Sequence, residues 1–264
     1  MVFYVEYFKS EKRRAEIGFM VKQVKCEQLS MQIMRHILEE MQTGVYRNLD
    51  RLPPEVEIAE VLGVSRTVVR DSLAMLEREG FVSRKHGLGT IINRHVLEAK
   101  TRVDLEKEFF DMVRDVGYEP SAKILKVEEI TAGEETGQLF GEAADSEVIR
   151  VSRVVYANDV PAIYCVDIIP KSLIVDLNYT HEDLHAVIFE FMEKFCNTDV
   201  YMDLTEMQAL NADAELARIL DIPEGNAVLH FNEHGYDFKG KLVLHSKEYY
   251  REGIFHHTVL RKKM

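Results

Sequence analysis

The sequence predicts an α+β protein of two domains: a small helical unit closed by a β-hairpin, then a larger unit built on an antiparallel sheet. Three observations carry this reading. The 264 residues are 46% hydrophobic and 30% charged, too apolar for a disordered chain and long enough for two cores. Charge is unevenly divided. Residues 1–95 hold 15 Lys and Arg against 13 Asp and Glu, a net +2, and the remainder holds 18 against 32, a net −14, so the acidity resides in the second part. Helical periodicity with glycine stops dominates the first part, and β-rich runs joined by short turns dominate the second.

The elements follow in order. Residues 21–43 carry a helical stripe of Leu29, Ile33, Met34, Ile37, Leu38 and Met41, stopped at Gly44. Residues 52–63 predict a short helix with Pro53 and Pro54 at its entrance and Gly63 at its end. Ser65 is a natural N-cap for a third helix over 65–80, whose Val69, Leu73 and Leu76 repeat on one face. Two short β-rich runs then flank His86-Gly87-Leu88-Gly89, a hairpin signal. Helix, short helix, glycine turn, helix and hairpin is the order of a winged helix-turn-helix.

Beyond residue 95, residues 104–117 and 212–220 predict helices, as do 181–195. Strands are expected over 121–132, over 148–170 broken at Asn158-Asp159, and over 226–250 broken at 237–240, with a last strand over 255–263. Strands adjacent in sequence with short turns imply an antiparallel sheet with helices inserted between them. The boundaries expected are an extension of no assigned role over 1–19, the DNA-binding unit over 20–93, a linker over 94–103 and the second domain over 104–264.

In a helix-turn-helix the second helix enters the major groove with its first turn facing bases and phosphates. Ser65, Arg66, Thr67 and Arg70 suit that turn: Arg66 offers a bidentate fork to guanine, and Arg70 projects from the same face four residues on. Arg84, Lys85, His86 and Gly87 lie where a wing would follow the minor groove. Residues 28–93 resemble the DNA-binding domain of the GntR family of bacterial transcription regulators. The matching motifs are Gly44-Val45-Tyr46, Leu52-Pro53-Pro54-Glu55, Leu62-Gly63-Val64-Ser65-Arg66, Val69-Arg70, Glu79-Gly80 and Gly87-x-Gly89-Thr90. The resemblance implies DNA contacts at Arg66, Thr67, Arg70, His86 and Gly87, to which Ser65 and Lys85 are added. Two departures stand out: Pro54 and Val56 replace a serine and an arginine common in the family.

The second domain resembles the UTRA ligand-binding domain of the family's HutC branch. The carrying residues are Arg153, Tyr156 through Pro161, Ile168-Ile169-Pro170, Leu210, Ala217, Leu220, Asp221 through Gly225, and Ser246-x-x-x-Tyr250-Arg251. The resemblance implies a chorismate-lyase-like fold used for sensing, with Arg153, Ser246 and Tyr250 at the effector pocket. Relatives that bind sugar phosphates carry a second Arg and two acids where this chain has Val155, Cys165 and Leu244. A pocket less polar than a sugar-phosphate site is therefore expected. Arg153 either favours an anionic effector or pairs with one of the domain's carboxylates.

Other signals carry less. His181-Glu182-Asp183-Leu184-His185 matches the HExxH zinc motif, but it reads better as a helix start with Thr180 as N-cap and acids in the first turn. His230 and His234 share a strand face about 13 Å apart, too far for one ion, and His256-His257 point to opposite faces. No nucleophile elbow, phosphate loop or cofactor motif is present in the sequence, and the three cysteines lack paired spacing. No apolar run reaches the roughly 18–20 residues of a membrane span. The expectation is a cytoplasmic, ligand-responsive repressor: a homodimer, not an enzyme, that binds double-stranded operator DNA and a small effector, without cofactor, metal or membrane. The rival is an enzyme with a chorismate-lyase-like catalytic domain.

Overall fold

A computed structural model describes residues 28–85, 87–105, 107–184, 188–196 and 198–263. The expected 1–19 extension, His86 and His185 lie outside the described residues. The chain divides between Glu98 and Ala99 into two units, described separately.

The first unit contains α1 (Leu29–Gln42), α2 (Glu55–Leu62), α3 (Arg66–Arg78), a hairpin of β1 (Val82–Lys85) and β2 (Gly89–Ile92), and the single turn α4 (Arg94–Leu97). Ile37 and Met41 of α1, Ile58 of α2 and Val69, Leu73 and Leu76 of α3 are fully buried, so the sequence stripes meet in one core. Gly63 ends α2 at φ 65°, a left-handed conformation that admits glycine without the steric cost a side chain brings. Leu52 N–H donates to Thr90 O and Ile92 N–H to Asp50 O, adding the 50–52 segment to the hairpin edge.

Residues 94–103, expected as a linker, carry α4 and a short strand. The Arg94 guanidinium donates to Met41 O at 2.9 Å and Tyr46 O at 2.6 Å, satisfying carbonyls at and beyond the end of α1. Thr101–Arg102 form β3, which pairs in parallel with β10 (His257–Thr258).

The second unit is a six-stranded antiparallel sheet in the order β4-β5-β6-β9-β8-β7. Its strands are β4 (Pro120–Thr131), β5 (Glu147–Ala157), β6 (Val160–Pro170), β7 (Met202–Asn211), β8 (Ala227–Tyr236) and β9 (Leu242–Arg251). The helices are α5 (Phe109–Asp115), α6 (Gly133–Phe140), α7 (Ile188–Phe195) and α8 (Ala214–Leu220). The β5–β6 hairpin turns where expected: Asn158 takes φ 56°, and its Oδ1 accepts from Glu119 N–H at 2.9 Å.

Several expectations require correction. The 104–117 helix is only Phe109–Asp115. Among the described residues the 181–195 stretch has a 3₁₀ turn over His181–Leu184 and α7 over Ile188–Phe195, with Asp183 Oδ2 accepting from both Thr180 N–H and Oγ1, so Thr180 is the donor rather than the cap acceptor. The last strand shrinks to two residues, paired with β3 outside the main sheet. Two elements are new: α6, whose Gly133 and Gly137 hide its helical character, and β7, whose Glu206–Leu210 stretch is rich in helix formers. At Gly137 any side chain would meet the Glu142 and Ala143 carbonyls at 3.0 Å, so close approach of the following loop requires glycine.

Candidate functional site

In the first unit, α3 is fixed at its start and along its buried side. Ser65 caps it by accepting from Val68 N–H at 3.3 Å. Ser72 Oγ lies 2.7 Å from Ser30 O of α1 and 2.8 Å from Val68 O, tying the helix to its neighbour. The opposite face leaves Ser65, Arg66, Thr67 and Arg70 exposed on the first turn and a half. Lys85 and Gly87 are exposed at the hairpin tip, Gly87 with φ 79°. No ion pair engages Arg66, Arg70 or Lys85 among the described residues. Arg84 behaves differently: its Nε donates to Glu77 Oε2 and its N–H to Glu77 Oε1, both at 2.8 Å, so it fastens the hairpin to α3. The short α2 has Pro54 at its N-cap with no side-chain bond, as the lost serine implies, and Val56 stands 40% exposed.

In the second unit, one sheet face carries two apolar clusters with a polar belt between them. Toward one end Ile149, Val151, Ile169 and Leu244 pack with Phe191 and Met192 of α7. Toward the other Val155, Ile163, Phe231 and Tyr250 pack with Met112 and Val113 of α5. Strand register places Arg153 opposite Cys165, Cys165 opposite Glu248, Asp167 opposite Ser246, and Ser246 opposite Glu233. All except Glu233 are at most 5% exposed.

Arg153 forms an ion pair with Asp167 through its terminal guanidinium nitrogen. Ser246 Oγ donates to the other Asp167 oxygen at 2.6 Å, and Cys165 Sγ to the same oxygen at 3.2 Å. Tyr250 Oη donates to Glu248, and Thr205 Oγ1 to Glu233 Oε1 at 3.1 Å. Of the three residues expected at the pocket, Arg153 and Ser246 thus meet on Asp167 and Tyr250 bonds Glu248, two acids that the sequence reading passed over. Their signal was a charge on an inward position of an otherwise apolar strand.

A pocket opens on this belt, lined by Lys107, Glu108, Arg153, Asp167, Glu233 and Glu248 and walled by Phe109, Phe110, Ile188 and Phe189. Lys107 Nζ is 2.5 Å from Asp115. Burial, with Glu190 nearby, pushes the Glu108 carboxyl up to about 7, and burial with Asp203 nearby pushes Glu233 up to about 7. Burial likewise raises the Cys165 thiol, an unreactive state. The pocket expected to be less polar than a sugar-phosphate site is lined in part by charged side chains. Acids are absent from positions 165 and 244 but supplied by Asp167, Glu233 and Glu248. Arg153 takes the other course foreseen, pairing with a carboxylate.

Among the described residues no His, Cys, Asp and Glu group is arranged to hold a metal. His234 and His245 stack at 5.0 Å, and His245 Nε2 lies 2.8 Å from Asn232 Oδ1. No helix of the described residues is long and apolar enough to cross a membrane.

Comparison with known proteins agrees with this division. Residues 29–92 match the gntR family of bacterial regulatory proteins, and residues 115–256, over half the chain, match the UTRA domain. The HTH-type transcriptional repressor NagR of Bacillus subtilis (strain 168) is 28% identical over 220 residues, covering 83% of this chain and 89% of NagR. The HTH-type transcriptional regulator GgaR of Escherichia coli (strain K12) is 24% identical over 217 residues, 81% of this chain and 84% of that protein. In fold, YydK from Bacillus subtilis subsp. subtilis str. 168, described as a possible transcriptional regulator, superposes with a TM-score of 0.73 at 19% identity, covering 89% of this chain and 100% of that one. These relatives are regulators by name, and the enzyme alternative is set aside on that ground. The chain belongs to the GntR family of bacterial transcription regulators, in the branch whose second domain is a UTRA domain.

Proposed function

We propose that this regulator is a cytoplasmic homodimeric repressor that binds a palindromic operator and releases it when a small molecule occupies the second-domain pocket. The observation that carries the reading is the pair of sites: an exposed cationic first turn on α3 and a buried polar pocket in the UTRA domain. DNA contacts are assigned to Ser65, Arg66, Thr67 and Arg70 on the helix and to Lys85, His86 and Gly87 at the wing. Effector contacts are assigned around Arg153, Ser246 and Tyr250. Dimerisation follows from recognition: one helix reads too few base pairs for specificity, and two related by a two-fold axis read a palindrome. Effector favours a conformation with weaker operator affinity, and by linkage operator DNA weakens effector binding equally. The acidity of the second domain repels DNA away from the docked winged helix and limits non-specific binding.

Selection of bound duplexes from a random pool, with wild type and Arg66→Ala in parallel, tests this. A two-fold-symmetric site enriched by wild type and lost with Arg66→Ala supports the reading. Equal enrichment by both chains removes Arg66 from recognition, and absence of any enriched sequence, with and without candidate metabolites, contradicts the operator reading.

A further inference from the structure

The charge balance of the pocket points to a class of effector. Arg153, the cation expected to receive an anion, already has its charge met by the Asp167 carboxylate, and Ser246 and Cys165 complete that carboxylate's other oxygen. Lys107 reaches Asp115. The cavity is also lined by Ser246 and by three acids, Glu108, Glu233 and Glu248, of which Glu233 accepts from Thr205 and Glu248 from Tyr250. Glu233 and Glu248 hydrogen-bond each other, which requires one of them to hold a proton. An incoming ammonium replaces that proton, which leaves to solvent, and both carboxylates then face a cation.

A second observation points the same way. An adjoining lobe shares Lys107, Phe109, Glu233 and Glu248 with the first and is also lined by Thr101. Thr101 is 2% exposed, and its Oγ1 has no hydrogen-bond partner among the described residues. A buried hydroxyl without a partner is costly unless a ligand supplies one. Phe109, Phe110, Ile188 and Phe189 supply the apolar contact that an organic skeleton requires.

We propose that the pocket takes a small organic cation whose ammonium is received by the Glu233 and Glu248 carboxylates and the Thr101 hydroxyl, with Glu108 at the same cavity. This rests on the effector-pocket reading above and names its ligand class. Arg153 is then a positioning residue that holds Asp167, not an anion receptor.

The test is a thermal-shift and calorimetric comparison on the full chain. Its probes are agmatine, cadaverine and other small primary amines including D-glucosamine, against N-acetyl-D-glucosamine and D-glucose 6-phosphate. At least one amine is expected to stabilise the chain while the acetylated and phosphorylated probes do not. Glu233→Gln, Glu108→Gln and Thr101→Val should each weaken that amine, the Glu233 change by about tenfold or more. A phosphate that stabilises more than every amine overturns the proposal, as does no stabilisation by any amine, or amine binding indifferent to all three substitutions. Operator binding separates the two readings. An anion that binds and releases the selected DNA sinks the cation proposal and leaves the regulator intact. An amine that binds as described without changing operator affinity upholds the ligand class and sinks the effector role.

Discussion

The first turn of α3 and the belt beneath the UTRA pocket handle charge in opposite ways. Arg66 and Arg70 stand exposed without ion pairs among the described residues, whereas Arg153, at 1% exposure, is paired with Asp167. A DNA-reading surface must leave its cations to phosphates and base edges. A buried pocket must neutralise its charges internally, because an isolated charge removed from water is far costlier than a paired one. An arginine therefore says little about ligand charge until its partner is known.

The contrast sets the expected order of effects. Arg153→Ala leaves Asp167 buried without its partner and should destabilise the second domain by about 3–5 kcal/mol in denaturant titration. Arg153→Met combined with Asp167→Leu should recover most of that. A single-variant loss under about 1 kcal/mol would break the comparison. Arg66→Ala should do the reverse, losing about 1–3 kcal/mol of operator affinity while stability stays within about 0.5 kcal/mol. Anisotropy with the selected duplex and a melting curve check both halves. Ser72→Ala removes the hydroxyl that bridges α3 to Ser30 O and should cost about 0.5–1.5 kcal/mol of first-domain stability. A cost that reaches operator affinity as well would show that the clamp also aims the helix.

A further effect is one of pH. Glu108 and Glu233 have carboxyls raised from 4.5 to about 7, so the folded state binds more protons than the unfolded one between those values. Stability from these groups is full below 4.5 and is lost as pH rises through about 7. Melting of the second domain should decline over that window and decline less in Glu233→Gln. An identical slope in both chains would remove Glu233 as a contributor.

The same contrast explains what the sequence disclosed. The DNA-binding unit was legible nearly residue by residue because its signals are local: a serine cap three residues from its donor, a glycine stop, a helical stripe. The pocket was not, because its bonds span the chain. Asp167 lies 14 residues from Arg153 and 79 from Ser246. Aligning family positions placed the missing acids at Cys165 and Leu244. The strand register instead brings in Asp167 and Glu248 from inward positions two and four residues further along their strands. β7 escaped notice for a similar reason: its strand state is set by pairing with β8, against the helix preference of Glu206–Leu210. The β5–β6 hairpin, turned by Asn158-Asp159, was legible because its turn chemistry is local.

The most direct measurement is reciprocal titration of full-length chain with its selected operator and a pocket ligand, by anisotropy for DNA and calorimetry for the ligand. Saturating ligand should weaken operator binding, and saturating operator should weaken ligand binding by the same factor, with Glu233→Gln reducing ligand affinity while leaving ligand-free operator affinity unchanged. Operator affinity that is identical with the pocket filled and empty would contradict the account.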